Sequence, residues 1–178
     1  MGLKGLLISS PQLRDHNFDH TVVLICHHDD QGALGLVLTR DGDVTVNEVL
    51  ERLSVKAPVR LRGKTGWGGP VGEGVGFVVW RGSVSDHEGW SLDDGLAVSP
   101  SAERLSRLCA EEVEFDLLLG YSGWGPGQLE RELDEGSWLF ADSDHRIVLD
   151  LPRPERYAAA LALLGLRTDV ILMPTVEA

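Results

Sequence analysis

The segment whose side chains are best suited to chemistry is residues 120–130, Gly-Tyr-Ser-Gly-Trp-Gly-Pro-Gly-Gln-Leu-Glu. Ser122 follows Gly120 by two positions, as the nucleophile of a hydrolase does in the turn Gly-x-Ser-x-Gly. Trp124, however, occupies the position where that turn requires its second glycine. We therefore interpret Ser122 as a turn hydroxyl that bonds to its own backbone, and the segment as a sharp connection between a strand and a helix.

Two glycine-rich segments, residues 66–72 and 120–127, could bind an anion through free backbone N–H groups. Neither has the Lys-Ser/Thr pair of a P-loop, and neither has Gly-x-Gly-x-x-Gly in a dinucleotide-binding context. Glu130 lies in the first turn of the predicted helix, where its own carboxylate interacts with the positive end of the helix dipole. We therefore predict no cofactor.

His27, His28, Asp29 and Asp30 are metal ligands by residue type. Neighbouring residues of a strand point to opposite faces, so four in a row do not converge on one ion. The chain also has no His-Glu-x-x-His and no Cys-x-x-Cys. We interpret these residues as the solvated tip of a hairpin, and we predict no metal site.

The candidate binding surface comes from the two loops that contain Gly-Trp-Gly. Tryptophan and tyrosine offer a large apolar area with one polar group, which suits a ligand shelf and equally suits internal packing. Both alternatives stay open at this point. The predicted surface consists of Trp67, Gly69, Pro70, Tyr121, Trp124, Gln128 and Glu130.

The net charge of −12 argues against a protein that binds nucleic acid directly. DNA-binding proteins present a basic face to phosphates, and the densest basic group here, Arg60, Arg62 and Lys64, is small. A helix-turn-helix needs two adjacent short helices, one with a basic face, and the sequence predicts none. We therefore predict a solvated acidic surface and no direct contact with nucleic acid.

Three features favour a cytoplasmic protein without membrane contact. No apolar run approaches the roughly 20 residues that span a bilayer, and the start of the chain does not read as a signal peptide. Cys26 and Cys109 both lie among aliphatic neighbours, which predicts buried, reduced thiols rather than a disulfide. The sequence leaves the oligomeric state open.

Hydrophobic patterning predicts one α/β domain over residues 1–178, with a core of about residues 3–166 and a C-terminal tail over 167–178. Continuous apolar runs at 21–26 and 33–39 predict a buried antiparallel hairpin. Thr45 and Glu48 form a capping box that begins a helix. Residues 63–74 are rich in glycine and predict a loop.

The remaining elements complete a mixed sheet with helices packed outside it, because hairpins and crossover helices both occur. Further strands are predicted at 3–8, 59–61, 75–80, 96–98, 115–120, 138–141, 147–149 and 170–173, and further helices from Ser99, at 128–135 and at 154–164.

Three segments closely resemble the YqgE/AlgH family, also called UPF0301 or DUF179. They are residues 11–18, with Pro11, Leu13, Asp15 and Phe18, the Gly-Gly-Pro-Val of residues 68–71, and residues 120–130. The resemblance extends over about residues 3–166, but residues 39–41 are Thr-Arg-Asp where the family typically has Asn-Arg-Pro. It implies a single α/β domain whose bifurcated sheet folds toward a pseudo-barrel.

The resemblance implies no reaction, because the family has no established biochemical activity, although some members are labelled transcriptional regulators. Our first hypothesis is a cytoplasmic binding or regulatory module that contacts a protein partner or a small ligand near the two Gly-Trp loops. The alternative is an enzyme of undetected class, such as a hydrolase, that uses carboxylates from the same region.

Overall fold

The structure is a computed structural model that describes residues 2–11, 13, 15–58, 60–61 and 63–167. They form one α/β domain, and no helix in these ranges is long and apolar enough to cross a bilayer. The strands are β1 Gly5–Ser9, β2 Val22–Asp29, β3 Gly32–Val37, β4 Asp41–Thr45, β5 Lys64–Trp67, β6 Val71–Arg81, β7 Trp90–Ser91, β8 Leu96–Ser99, β9 Phe115–Trp124 and β10 Trp138–Ala141. The helices are α1 Val46–Arg52, α2 Ala102–Ala110, α3 Gln128–Asp134 and α4 Arg153–Leu163, and single helical turns lie at Asp93–Gly95 and Arg146–Asp150.

The sheet branches at β9. Its main path runs β10-β1-β2-β3-β9-β6-β8-β7, with β10 and β7 at the two ends, so the sheet is not closed into a barrel. β9 pairs antiparallel with β3 and with β6, and it pairs in parallel with β5, which β4 extends. The predicted mixed, bifurcated sheet is therefore confirmed.

Both faces of the central strands are covered, which explains why their apolar runs are continuous. In β1, Leu6 and Ile8 pack in a cluster with residues of α4, whereas Leu7 packs on the opposite face in a cluster with Leu129 of α3. A third cluster joins α1 and α2 to β6 and β9. The strands thus form a central layer between helices on both sides.

The predictions with a local physical cause are confirmed. β2 and β3 form an antiparallel hairpin that is mostly buried. Thr45 caps α1: its Oγ1 accepts a hydrogen bond from the backbone N–H of Glu48 at 3.2 Å, and the Glu48 carboxylate accepts one from the Thr45 backbone N–H at 3.0 Å. Cys26 and Cys109 are buried free thiols, as predicted.

The prediction of a loop over residues 63–74 is wrong, because β5 and the start of β6 lie within it. Gly66 of β5 pairs with Leu118 of β9, and a Cβ on Gly66 would lie 2.2 Å from the Leu118 side chain. Glycine is needed here for the close approach of two strands, which is a different use from a flexible turn.

Residues 147–149 were predicted as a strand, and this prediction is also wrong. Ile147 and Val148 lie in the helical turn Arg146–Asp150, and both of their N–H groups bond to the carbonyl of Asp144. A short, fully buried apolar run does not distinguish a strand from a helical turn. Of the strand predicted at 59–61, residue 59 lies outside the described residues and the other two are in no strand, and the strand predicted at 170–173 lies outside the described residues.

Candidate binding site

The two glycine-rich segments predicted as a binding surface meet, but they meet by packing their backbones together. Gly68 donates its N–H to the carbonyl of Leu119 at 2.7 Å, and its carbonyl accepts from Val37 at 2.8 Å. Gly69 has φ +154°, and a Cβ there would lie 2.2 Å from the carbonyl carbon of Tyr121. These glycines therefore permit a close chain crossing and leave no space for a ligand between the two segments.

The aromatic residues of the predicted surface are largely used for internal packing. Trp124 is 6% exposed and lies 6.1–6.2 Å from the rings of Phe18 and Trp138, between ring centroids. Tyr121 packs in a different cluster, with its ring edge against Phe77 at 6.0 Å. Trp67 is half-buried, and the Arg40 guanidinium lies 5.4 Å from its ring centroid.

The polar residues of the predicted surface lie at the start of α3. The Oε1 of Gln128 accepts a hydrogen bond from the backbone N–H of Gly125 at 3.0 Å, which stabilises the turn before the helix. Glu130 is exposed and contacts His28, and a hydrogen bond from its backbone N–H together with this contact lowers the pKa of its carboxyl. Pro70 is exposed at the turn between β5 and β6.

His28 differs from the interpretation of residues 27–30 as a solvated hairpin tip. Its side chain is 9% exposed, its Nδ1 accepts a hydrogen bond from the backbone N–H of Leu3 at 2.8 Å, and its Nε2 contacts Glu130. His27 and Asp29 do remain at the surface, where they pair with each other at 2.8 Å. No local pattern indicates the contact with Glu130, because that residue is far away along the chain.

Ser122 lies inside β9 and not in a turn. β9 continues to Trp124, so the connection to α3 begins only after it. The Ser122 side chain is fully buried and donates a hydrogen bond to the carbonyl of Gly68 at 3.2 Å. Its hydroxyl therefore stabilises the crossing of β5 and β9 and is not presented to a substrate.

The described residues also form an apolar groove of about 480 Å³ that the sequence did not predict. It lies between the end of α1, the first half of β6 and the start of α2. Its walls are mostly aliphatic, and Leu53 and Val75 on its rim are 47% and 41% exposed. The groove is lined by Val49, Arg52, Leu53, Glu73, Gly74, Val75, Gly76, Val78, Ser99, Pro100, Ser101, Ala102, Leu105, Leu117 and Leu119.

An irregularity in the sheet forms this groove. Val71 of β6 pairs with Tyr121 of β9, and the next paired residues are Gly76 and Leu119, so four residues of β6 bulge out opposite a single residue of β9. β8 pairs with β6 only from Val78 onward, because Pro100 follows and lacks the N–H that would continue the ladder. The bulge, Gly72–Val75, therefore stands beside a gap in the sheet that side chains of α1 and α2 border.

The groove offers few polar groups for chemistry. The Oγ of Ser99 donates to the carbonyl of Glu88 at 2.7 Å, and the Oγ of Ser101 accepts from the backbone N–H of Arg104 at 3.2 Å as the cap of α2. Both hydroxyls are thus occupied by structural hydrogen bonds. The charged side chains of the lining are Arg52 and Glu73, one at the end of α1 and one on the bulge. Such a site is suited to binding an apolar side chain and is poorly suited to catalysis.

Two signals in the sequence pointed to the groove. The apolar face of α1 extends to Leu53, which follows the last residue of the helix. Its side chain is exposed and is not part of the buried core. Glycines at 72, 74 and 76 alternate through the start of β6, and glycine inside a strand often marks a bulge. Neither signal locates the facing wall, which α2 supplies.

Comparison with known proteins agrees with this fold. The model of a family described as AlgH-like (DUF179) matches residues 6–169. The UPF0301 protein of Idiomarina loihiensis is 38% identical over 171 residues, which cover 90% of this chain and 89% of that protein. A UPF0301 protein of Burkholderia cenocepacia is 37% identical and covers 93% and 89% of the two chains.

Solved structures show the same architecture. The solution structure of the AlgH protein from Pseudomonas aeruginosa matches with a TM-score of 0.74 and 34% identity, over 98% of this chain and 95% of that one. A crystal structure of a Corynebacterium diphtheriae protein matches with a TM-score of 0.72 at 20% identity, over 97% and 91% of the two chains, and shows the fold alone. The protein is therefore a single α/β domain with an open, branched sheet. The chain belongs to the AlgH-like family, UPF0301.

Proposed function

We propose that this protein is a binding module that takes an apolar segment of a partner protein into the groove between α1, β6 and α2. The observation that carries the proposal is the exposure of Leu53 and Val75 on the rim of a cavity of about 480 Å³ with aliphatic walls. Soluble proteins rarely leave such apolar area in one concave place unless something covers it.

A binding role fits the groove better than the alternative of a hydrolase. Catalysis needs a nucleophile or a pair of titratable groups that converge on a substrate. The hydroxyls of Ser99 and Ser101 are engaged in structural hydrogen bonds, and Ser122 is buried elsewhere. A protein that binds without reacting acts by changing what its partner does, which is a regulatory role. Its placement in the cytoplasm stays a prediction.

The surface predicted from the sequence provides a competing location. Of its residues, Pro70 and Glu130 are exposed, and Gln128 precedes Glu130 by two positions in α3. Contact between a partner and these residues stays a prediction. Because none of these three residues lines the groove, one experiment can distinguish the two surfaces.

The test is selection of peptides from a random display library on the folded protein, followed by NMR mapping of the peptides with isotope-labelled protein. We expect peptides with apolar side chains whose shift changes concentrate at Leu53, Val75 and Ala102. Leu53→Asp should abolish binding, because a carboxylate would be desolvated in an apolar site. The matched control is Leu163→Asp, which places the same charge on an equally exposed leucine of α4.

Two results would contradict the proposal. Shift changes confined to residues around Glu130 would move the binding site to the surface predicted from the sequence. Equal loss of binding in Leu53→Asp and Leu163→Asp would show that a general property of the protein, and not the groove, determines peptide binding.

A further inference from the structure

A basic segment borders the groove in an otherwise acidic protein. Residues 52–64, which we call the basic segment, contain five lysines and arginines and no aspartate or glutamate. The rest of the chain contains 11 basic and 28 acidic residues. A local excess of this kind, in a chain with a net charge of −12, places opposite signs of potential on different parts of one surface.

The structure holds the basic segment against α1. It begins at Arg52, the last residue of the helix, and the N–H of Val55 bonds to the carbonyl of Leu50 at 2.9 Å. It then returns to the start of the helix, where Val46 donates its N–H to the carbonyl of Gly63 at 3.2 Å, and Asn47 bonds to the carbonyl of Leu61. The described residues of the segment therefore follow α1 from its C-terminal end, beside the groove, back to its N-terminus.

The cations of the basic segment are available to a partner. Arg52, Lys56, Arg60 and Lys64 are exposed, and within the described part of the chain none of them forms an ion pair. Of the nearby acids, Glu48 is engaged in the capping box of α1, whereas Glu51 on the helix and Glu73, which lines the groove with Arg52, are exposed. Arg52 also lines the groove, so the apolar site and the positive charge are continuous.

We propose that the partner segment is acidic, with an apolar side chain that enters the groove and carboxylates that lie over the basic segment. This inference rests on the proposed function of the groove and adds the chemistry of the ligand. Complementary charge steers association and selects among partners that have similar apolar side chains. The acidic remainder of the surface repels the same ligand, which restricts it to this one face.

An acidic peptide fits these observations better than a nucleic acid does. Phosphate backbones require an extended basic face, and here the cations end where the acidic surface begins. The groove beside Arg52 is aliphatic and presents no aromatic side chain on which a base could stack. Nucleic acid is therefore an alternative outcome of the test.

The test compares three proteins against the peptides selected on the parent chain. The first is the parent, the second carries Lys56→Glu, Arg60→Glu and Lys64→Glu, and the third carries Lys4→Glu, Arg131→Glu and Arg146→Glu. The third is a matched control, because it changes net charge by the same amount at exposed positions away from the groove. Thermal melts establish that all three are folded.

We expect the selected peptides to be enriched in aspartate and glutamate beside their apolar residues. The triple reversal in the basic segment should weaken their binding by about tenfold or more, chiefly through slower association, while the control triple variant should retain binding within about threefold. Added salt should weaken the parent's binding and have little effect on the residual binding of the reversed variant.

Three results would overturn the inference. Selected peptides that are neutral or basic, and that no longer bind the Leu53→Asp variant, would refute an acidic partner while leaving the groove as the binding site. Equal weakening in both triple variants would assign the effect to net charge and not to the basic segment. Binding of a DNA duplex or an RNA oligonucleotide that the first triple reversal abolishes would assign the cations to nucleic acid. Peptides that still bind the Leu53→Asp variant would instead refute the groove as the binding site.

Discussion

Arg153 and Asp116 form a bidentate ion pair that joins α4 to β9, with Nη1 to Oδ2 at 2.6 Å and Nη2 to Oδ1 at 2.8 Å. The side chains are 11% and 14% exposed. Arg156, 5% exposed, also reaches Asp116 at 3.4 Å and donates to the carbonyls of Leu38 and Leu151 at 2.9 Å. Asp116 thus pairs with two nearly buried guanidinium groups where the sheet branches, and Arg153 has a second, exposed partner in Asp41 at 3.2 Å.

Asp116→Asn should destabilise the fold by about 3 kcal/mol, because removing one partner of a buried ion pair leaves uncompensated charge. The measurement is urea unfolding at neutral pH. The control is Asp150→Asn, which removes one partner of Arg81 in a pair that is 41% exposed on each side, and it should cost clearly less than Asp116→Asn because solvent screens the pair. Similar losses of unfolding free energy in both variants would show that the burial of Arg153 and Arg156 is not what makes Asp116 important.

Gly69→Ala should destabilise the protein by more than about 1 kcal/mol, since φ +154° and a contact at 2.2 Å both exclude a Cβ. Gly123→Ala, in β9, is the control, because no atom lies within 4 Å of its added Cβ and its φ is not positive. It should change the unfolding free energy by less than about 1 kcal/mol. A normal melt for Gly69→Ala would mean that the crossing of β5 and β9 is looser than described.

Elements whose cause is local could be predicted from the sequence. The continuous apolar runs of β2 and β3 and the capping box at Thr45 depend on residues that are close along the chain, and the structure confirms both. The loop predicted at Gly66 is wrong because the side chain that excludes a Cβ there belongs to Leu118, which is distant in sequence. Local patterns carry no information about such a neighbour.

The same limit explains the differences at the site. Tyr121 and Trp124 are close in sequence and were predicted on one surface, but they pack in different apolar clusters. The groove depends on a register shift between β6 and β9, and on α2 packing beside it, so it exists only once the sheet is assembled. Ile147 was misassigned because burial on all sides removes the periodicity that separates strand from helix.

The ion pair between Glu88 and Arg104 should make stability depend on pH in the acid range. Arg104 donates a hydrogen bond of 2.6 Å to the Glu88 carboxylate, and this bond lowers the pKa of that carboxyl below its ordinary value of 4.5. A lowered folded-state pKa adds stability that is complete above the unfolded pKa and is lost as pH falls through the folded one. The difference in urea midpoint between parent and Glu88→Gln should therefore be constant near neutral pH and shrink below about pH 4.5.

Glu135→Gln is the control for this titration, because Glu135 is an exposed residue at the end of α3. The difference in urea midpoint between Glu135→Gln and the parent should be small at every pH measured. A difference for Glu88→Gln that grows as the pH falls would reverse the sign and would contradict the assignment of the pair.

Cys26 and Cys109 should react with a thiol reagent only after unfolding. Burial raises the pKa of both thiols, so the reactive thiolate is scarce at mild alkaline pH, and access is blocked as well. Two thiols should be titrated in denaturant, and the reaction in native buffer should be slower by at least about tenfold. Rapid reaction of one thiol in the folded protein would show that its side chain is exposed.

Trp124→Ala should cost about 3 kcal/mol or more, because the indole is buried between Phe18 and Trp138 and its removal leaves a large cavity. Trp67→Ala is the matched control, since Trp67 belongs to the same predicted surface but is only half-buried, and its truncation should cost less. Thermal melting and urea unfolding measure both. If Trp124→Ala melts like the parent and loses binding of the selected peptides, Trp124 contacts a ligand and the surface predicted from the sequence is the binding site. If it melts early while peptide binding persists below the transition, Trp124 supports the fold and the groove remains the site.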